Sequence, residues 1–453
     1  MQTSSAIALI TNDAIGQAMA GPGIRYWEFA RVLSQSFPVK LIVPPHVRVD
    51  KPLVNGPENV ELFYCRDEDS LAALVAGCSV VLTLGIVLAL YPFLTRLQKV
   101  LVVDLYDPFL LSGLQREAAA EPLRQLGANE KYREALEIQL RAGDFFLCAS
   151  ERQRDYWLGM LSAVGRINPY TYACDPTFRK LIAVAPFGLP REQPQHRRLV
   201  LKGVHKTIAA ADKVLLWGGG VWEWLDAPAL VRAMPLVLAQ RDDVKVFFMG
   251  IRRPNPSAAA TPAVDDLVAL SRDLGLYDRY VFFNDWVPYE DRQDYLLEAD
   301  LGISLHLDHA ETRFAFRTRL LDYVWAGLPM VCTKGDVLAE SFARQGVATL
   351  VPPGDVEELA QAILSRLEIP DLRAQCRAGF AALAESYHWD TVAQPLVHFC
   401  ETPRAAPDRA YIAAQGARTP RGLTAKAWRA IRLGGLRGLW QETAAYVRWK
   451  ARR

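Results

Sequence analysis

Two α/β domains, each a parallel sheet with helices on both faces, are what this chain of 453 residues predicts. Three observations carry the expectation. The length exceeds what one ordinary core holds, so two domains of about 200 residues are the starting point. Short β-rich apolar runs alternate with longer stretches of helical period, as strands joined by crossover helices do. The alternation also runs twice, interrupted at 186–195, where Pro186, Gly188, Pro190 and Pro194 crowd together.

In the first half the predicted strands are Ala6–Ile10, Val39–Val43, Val60–Tyr64, Val80–Leu84, Val100–Asp104, Phe145–Cys148 and Ile182–Ala185. Helical patterns fall at Ile24–Ser36, Pro122–Ala142 and Glu151–Leu161. The second series comprises Lys213–Trp217, Val244–Met249, Tyr280–Phe283, Leu301–Leu305, Met330–Cys332 and Ala348–Val351. Asp226 and Asp355 are placed to cap the helices that follow them, Asp355 with Glu358 three residues on. The domain expectation is 1–190, 191–385, helices crossing back at 386–403, and a basic tail over 404–453. Two such Rossmann-like domains face a cleft, with ligands at the carboxyl ends of the strands.

Composition bounds the function. Hydrophobic residues make up 51% and charged residues 23%, an ordinary globular balance. The cysteines Cys65, Cys78, Cys148, Cys174, Cys332, Cys376 and Cys400 contain no Cys-x-x-Cys pair, so reduced thiols in a cytoplasmic protein fit better than disulfides or zinc. No basic segment precedes the apolar run Ala6–Ile10, so a secretory signal is not expected. The longest apolar run, Val80 to Leu94, contains Gly85 and Pro92 and falls short of the roughly 20 residues a membrane helix needs.

From Arg404 onward there are twelve Lys or Arg and two acids, a balance of 12 − 2 = +10. With +2 overall, the body carries 2 − 10 = −8. That is no nucleic-acid-binding pattern; it suggests one anionic surface at one end. Within 424–453, Trp428, Ile431, Leu436, Leu439, Trp440, Tyr446, Val447 and Trp449 interleave with basic residues. Such a segment suits an interfacial helix on anionic lipid, or alternatively a cover helix with a solvated face.

The segment Glu311 to Pro329 is the most informative. Arg313, Arg317 and Arg319 precede an apolar run that holds Asp322 and ends in Gly327-Leu328-Pro329. Arginines beside a helix start suit a diphosphate, and a carboxylate one turn on suits ribose hydroxyls. After a predicted strand, Gly218, Gly219 and Gly220 let a phosphate lie against the backbone, with Trp222 beside it; packing of Trp222 and Trp224 between domains is the alternative. At the first βα junction Gly21, Gly23 and Arg25 form a candidate phosphate or acceptor loop, Arg25 reaching across the cleft. It is no dinucleotide fingerprint, because Tyr26 stands where a third glycine is required. His306 and His309 flank Asp308, but no third fixed ligand accompanies them, so substrate contact through His306 is favoured over metal.

The glycine loop, Phe314 to Pro329, and Gly354-Asp355 with its capped helix together resemble the family-4 group of retaining, nucleotide-sugar-dependent glycosyltransferases with the GT-B fold. The resemblance spans about residues 5–400. It implies a donor-binding second domain, an acceptor-binding first domain, and no metal or cofactor beyond the nucleotide-sugar substrate. In the family two acids stand eight residues apart, the second five before the glycine of Gly-x-Pro, which puts the second at Asp322 and the first at Phe314. Glu311 is then the substitute for sugar contacts. The family's Arg and Lys after the glycine loop are missing, so Arg317 and Arg319 are expected to stabilise the diphosphate. Trp286 and Val287 correspond to the loop beside the base, or else to a hydrophobic turn. Tyr106 replaces a frequent histidine, leaving Asp107, or less favourably Asp104, to orient or deprotonate the acceptor; a capping role for Asp107 is the alternative.

The implied function is transfer of a sugar from a nucleoside diphosphate to a hydroxyl of a glycan or lipid-linked glycan, with retention. The implied place is the cytoplasm, peripheral on the inner face of the cell membrane. A non-catalytic GT-B partner of a glycan assembly complex is the alternative, and a sugar-nucleotide epimerase a weaker one.

Overall fold

The computed structural model describes residues 6–49, 52–118, 120–205, 207–252 and 262–415. The segment 424–453, and with it the expected membrane contact, lies outside the described residues. The first sheet comprises β1 (Ala6–Ile10), β2 (Val39–Val43), β3 (Val60–Tyr64), β4 (Cys78–Leu84), β5 (Val100–Asp104), β6 (Phe145–Cys148) and β7 (Ile182–Val184). The second comprises β8 (Lys213–Trp217), β9 (Val244–Phe248), β10 (Val281–Phe283), β11 (Leu301–Ser304), β12 (Met330–Thr333) and β13 (Ala348–Val351). Their orders are β3-β2-β1-β4-β5-β6-β7 and β10-β9-β8-β11-β12-β13, and every pairing is parallel. Parallel strands need crossovers that cover both faces, which is why β9 and β12 are buried along their whole length.

In each sheet the chain reverses its direction of winding once, between β1 and β4 and between β8 and β11. Crevices open at such points beyond the strand ends. The architecture is the two-sheet α/β arrangement expected from the sequence.

The chain then returns to the first domain. Trp389 is buried edge-on against Phe29 (5.9 Å) and Phe187 (4.7 Å), and Phe399 stacks on Phe145 (4.3 Å). Beyond it, Asp408 takes two hydrogen bonds from the buried Arg166 (2.8 and 3.0 Å) and one from Asn168. The Ala406 N–H donates to Asp144. Residues 404–415, grouped with the tail in the sequence reading, are thus docked on the first domain.

Two local differences have clear causes. The first helix is Gly21–Leu33, not Ile24–Ser36, because Pro22 presets the first turn and Asp13 accepts from the N–H groups of Ala20 and Gly23 (both 3.0 Å). The helix Glu68–Ala76 was not foreseen; its start is a capping box between Asp67 and Ser70. No helix among the described residues is long and apolar enough to cross a membrane.

Candidate functional site

The crevice at β8 and β11 is built around a buried tyrosine. Tyr323, on the helix Arg319–Trp325, lies against Gly302 and Gly218; a Cβ on Gly302 would come within 2.6 Å of its ring. Its hydroxyl accepts from the Gly218 N–H (2.8 Å) and lies 3.0 Å from the carbonyls of Leu216 and Ile303. This anchors the glycine loop at one end. Gly219 has φ +96°, a conformation open to glycine at no steric cost. The N–H groups of Gly219 and Gly220 have no protein acceptor among the described residues. The Gly220 carbonyl accepts from Trp217 Nε1 (3.1 Å) and Arg319 Nη2 (2.9 Å).

Arg319 begins the same helix that carries Tyr323. Its guanidinium lies over the Trp217 ring (4.6 Å), and Nη1 is buried with no hydrogen-bond partner. No carboxylate pairs with it among the described residues. Burial lowers its pKa to about 10, so the group remains charged at neutral pH. An unpaired cation beside two free backbone N–H groups is an anion site in waiting.

Arg317 is differently placed. Both of its amino groups donate to Glu311 (3.0 and 2.6 Å), and its Nε faces Asp336 at 4.0 Å. Both amino groups are committed to Glu311, each of whose oxygens already accepts one hydrogen bond. Arg313 is exposed. Across the cleft Asp107 retains solvent access, yet atoms of both walls crowd it. That desolvation, and the charge of Glu311, push its carboxyl up to about 6. Asp107 does not cap the following helix with its side chain; the residue at the cap is Pro108.

Asp322 sits one turn along the helix, about one-third exposed. Its Oδ1 accepts from Arg292 Nε (2.9 Å), and the Arg292 guanidinium is held between Tyr289 (3.6 Å) and Trp325 (4.4 Å). Trp222 stacks flat on Trp224 (5.4 Å), and Arg116 of the first domain lies over Trp224 (5.8 Å). The Trp286 indole donates to the Gln17 carbonyl across the cleft (2.9 Å). The backbone N–H groups of Trp286 and Val287 have no acceptor among the described residues. His306 is buried at the end of β11, with its Nε2 unpartnered.

The first-domain loop departs from expectation. Arg25 is fully buried and donates to Asp104 (2.6 and 3.0 Å) and to the carbonyls of Ala185 and Pro186 (both 2.8 Å). It ties β5 to the interdomain linker and does not reach the cleft as a cation, and the same pairing engages Asp104. Gly23 lies in the first turn of the helix, where a Cβ would meet the Ala14 carbonyl at 2.6 Å, and its N–H is taken by Asp13. Gly21 lies beneath Tyr106, 3.4 Å from where a Cβ would be. The protein's own carboxylate therefore fills the anion position that this loop offers.

Several residues with a place in the site were not singled out beforehand. Gln153 donates from one nitrogen to the carbonyls of Tyr106 (2.8 Å) and Phe314 (2.7 Å), bridging the domains, and nothing local marks it. Phe314 itself packs on Tyr156 (4.7 Å). Asp336 caps the helix Val337–Arg344, and its place directly before that helix was a readable cue. Arg292 had no cue beyond its charge. Among the described residues no group of three His, Cys, Asp or Glu is placed to hold a metal.

Comparison with known proteins bears on the fold. Residues 212–368 match the family model described as glycosyl transferases group 1. No curated protein sequence matches the chain. Among solved structures, sucrose-phosphate synthase from Thermosynechococcus elongatus is similar at TM-score 0.63 and 14% identity, over 90% of this chain and 100% of that one. Anabaena HepE in complex with UDP-glucose is similar at TM-score 0.60 and 15% identity, over 88% and 100%. WaaG, a glycosyltransferase involved in lipopolysaccharide biosynthesis, is similar at TM-score 0.57 and 14% identity, over 87% and 100%. The chain has the GT-B fold, and its second domain carries the glycosyl transferases group 1 match.

Proposed function

We propose that this protein transfers a sugar from a nucleoside diphosphate donor to an acceptor hydroxyl. The observation that supports it most is Arg319: a half-buried, charged guanidinium that, among the described residues, has no carboxylate partner and lies beside N–H groups of Gly219 and Gly220 that have no acceptor. Charge develops on the β-phosphate as the sugar leaves, and preorganised donors at that position lower the barrier. Asp322 accepts from a ribose hydroxyl through the oxygen that Arg292 does not hold. Trp286 and Val287 offer backbone groups to the base, and Trp222 lines the glycine loop. Asp107, ionised above about pH 6, orients or deprotonates the acceptor.

Retention of configuration and independence from metal are carried over from the family resemblance. So is an acceptor that is a glycan or lipid-linked glycan. A cytoplasmic place is inferred from the cysteine pattern, and a peripheral one on the inner membrane face from the basic segment 424–453. UDP-glucose, bound in the similar HepE structure, is the first donor to try.

A second reading is a non-catalytic partner of a glycan assembly complex. What favours it is that Glu311 is neutralised by Arg317 and the family's first acid is replaced by Phe314, packed on Tyr156. Release of nucleoside diphosphate from UDP-glucose, GDP-mannose and dTDP-glucose, without acceptor, tests the choice. Slow release that Arg319→Ala abolishes supports the transferase; tight binding with no release from any donor, with or without glycan acceptors, supports the partner.

A further inference from the structure

The acids that ought to read the sugar part of a donor are engaged elsewhere. Phe314 stands where the resemblance places the first acid, and its carbonyl accepts from Gln153. Glu311 gives both carboxylate oxygens to Arg317. His306 is different. Its Nδ1 lies 3.2 Å from the Leu307 carbonyl, which can only accept, so Nδ1 carries the proton and Nε2 presents a lone pair. That Nε2 is buried and, among the described residues, has no hydrogen-bond partner. Burial, aided by the charge of Arg317, lowers the imidazole to about 4, so the ring is neutral and the lone pair stays free at neutral pH.

A buried acceptor without a donor is costly and rare. This one sits beside the β8–β11 crevice. The His306 backbone bridges to Leu225 of the glycine-loop segment, and its Cε1 is 3.9 Å from where a Cβ on Gly335, in the loop after β12, would be. The first domain closes this corner: Arg152 donates to the Gly335 carbonyl (3.2 Å) and Gln153 to that of Phe314 (2.7 Å).

We propose that His306 Nε2 accepts a hydrogen bond from a hydroxyl of the donor sugar, in place of the acid absent at Phe314. The inference rests on the nucleotide-sugar reading above. It narrows the donor class to sugars with a free hydroxyl, neither deoxygenated nor O-alkylated, at the atom facing His306. A histidine acceptor also leaves no negative charge at that contact, unlike a carboxylate.

The test is calorimetry of UDP, GDP and dTDP beside UDP-glucose, UDP-galactose, GDP-mannose and dTDP-glucose. The full chain is compared with His306→Phe and His306→Gln. In the full chain at least one sugar form should bind more tightly than its diphosphate. His306→Phe should lower that increment about tenfold or more while diphosphate affinity, which also reports correct folding, holds. His306→Gln, whose carbonyl oxygen can accept, should recover part of it. An increment unchanged in His306→Phe, or no increment from any sugar in the full chain, overturns the role of His306. A full chain that binds none of the three diphosphates overturns the nucleotide-sugar reading itself.

Discussion

At Arg319 and Arg317 two neighbouring cations have opposite consequences. Arg319→Ala removes a charge that no carboxylate among the described residues balances, so diphosphate affinity should fall about tenfold to a hundredfold while the fold is kept. Equal calorimetric affinity of the variant for UDP, GDP and dTDP would remove the assignment. Arg317→Ala leaves Glu311 buried without its guanidinium partner, the side-chain exposures of the pair being 8% and 5%. It should cost about 3–5 kcal/mol of stability, read as a lowered denaturation midpoint. At Asp107 the crowding of protein atoms from both walls, and the charge of Glu311, raise the folded pKa above the ordinary carboxylate value to about 6. The raised acid contributes stability that is full below its unfolded pKa and is lost as pH rises through about 6. Activity runs the other way, since a base works ionised. Asp107→Asn should therefore melt higher than the parent at pH 8 but not at pH 4, and should lose the activity limb near pH 6. A parent profile flat between pH 5 and 7 would argue against the base.

The helix Arg319–Trp325 is the element on which the site depends. Successive turns put Arg319 at the glycine loop, Asp322 against Arg292, and Tyr323 under Gly218 and Gly302. Tyr323→Phe keeps the ring but leaves the Gly218 N–H without an acceptor, at about 1–3 kcal/mol. Because that bond anchors the loop, nucleotide affinity should drop as well. A variant with lowered stability and unchanged affinity would show that the loop holds its shape without the anchor. Much of this element was legible: Arg319, Asp322 and the Gly-Leu-Pro stop are contiguous in sequence. Tyr323 was not, because a tyrosine in an apolar run looks like any other core residue until Gly302, 21 positions earlier, is brought beneath it.

Over the whole molecule, long-range pairs join what the sequence separates. Arg166 and Asp408, fully buried, clamp the returning chain to the first domain. A truncation before Arg404 would strip Arg166 of its partner, costing about 3–5 kcal/mol. A test of membrane binding by the basic tail should therefore cut after Gln415. That protein should keep the parent's melting temperature and fail to sediment with anionic vesicles. Equal sedimentation with and without residues 416–453 would sink the membrane role.

The sequence by itself determined the two parallel sheets, because strand and helix periods and turn residues are local signals. It also determined the glycine loop and the helix that faces it, through contiguous residues. The tertiary structure alone decided which cation is free. Arg25, Arg317 and Arg319 look equivalent as letters, but Asp104 lies 79 positions from Arg25 and Glu311 turns back on Arg317. Among the described residues, Arg319 has no carboxylate and His306 Nε2 no donor because the fold places no such group beside them. A charge becomes functional by what surrounds it, and those surroundings are assembled from distant parts of the chain.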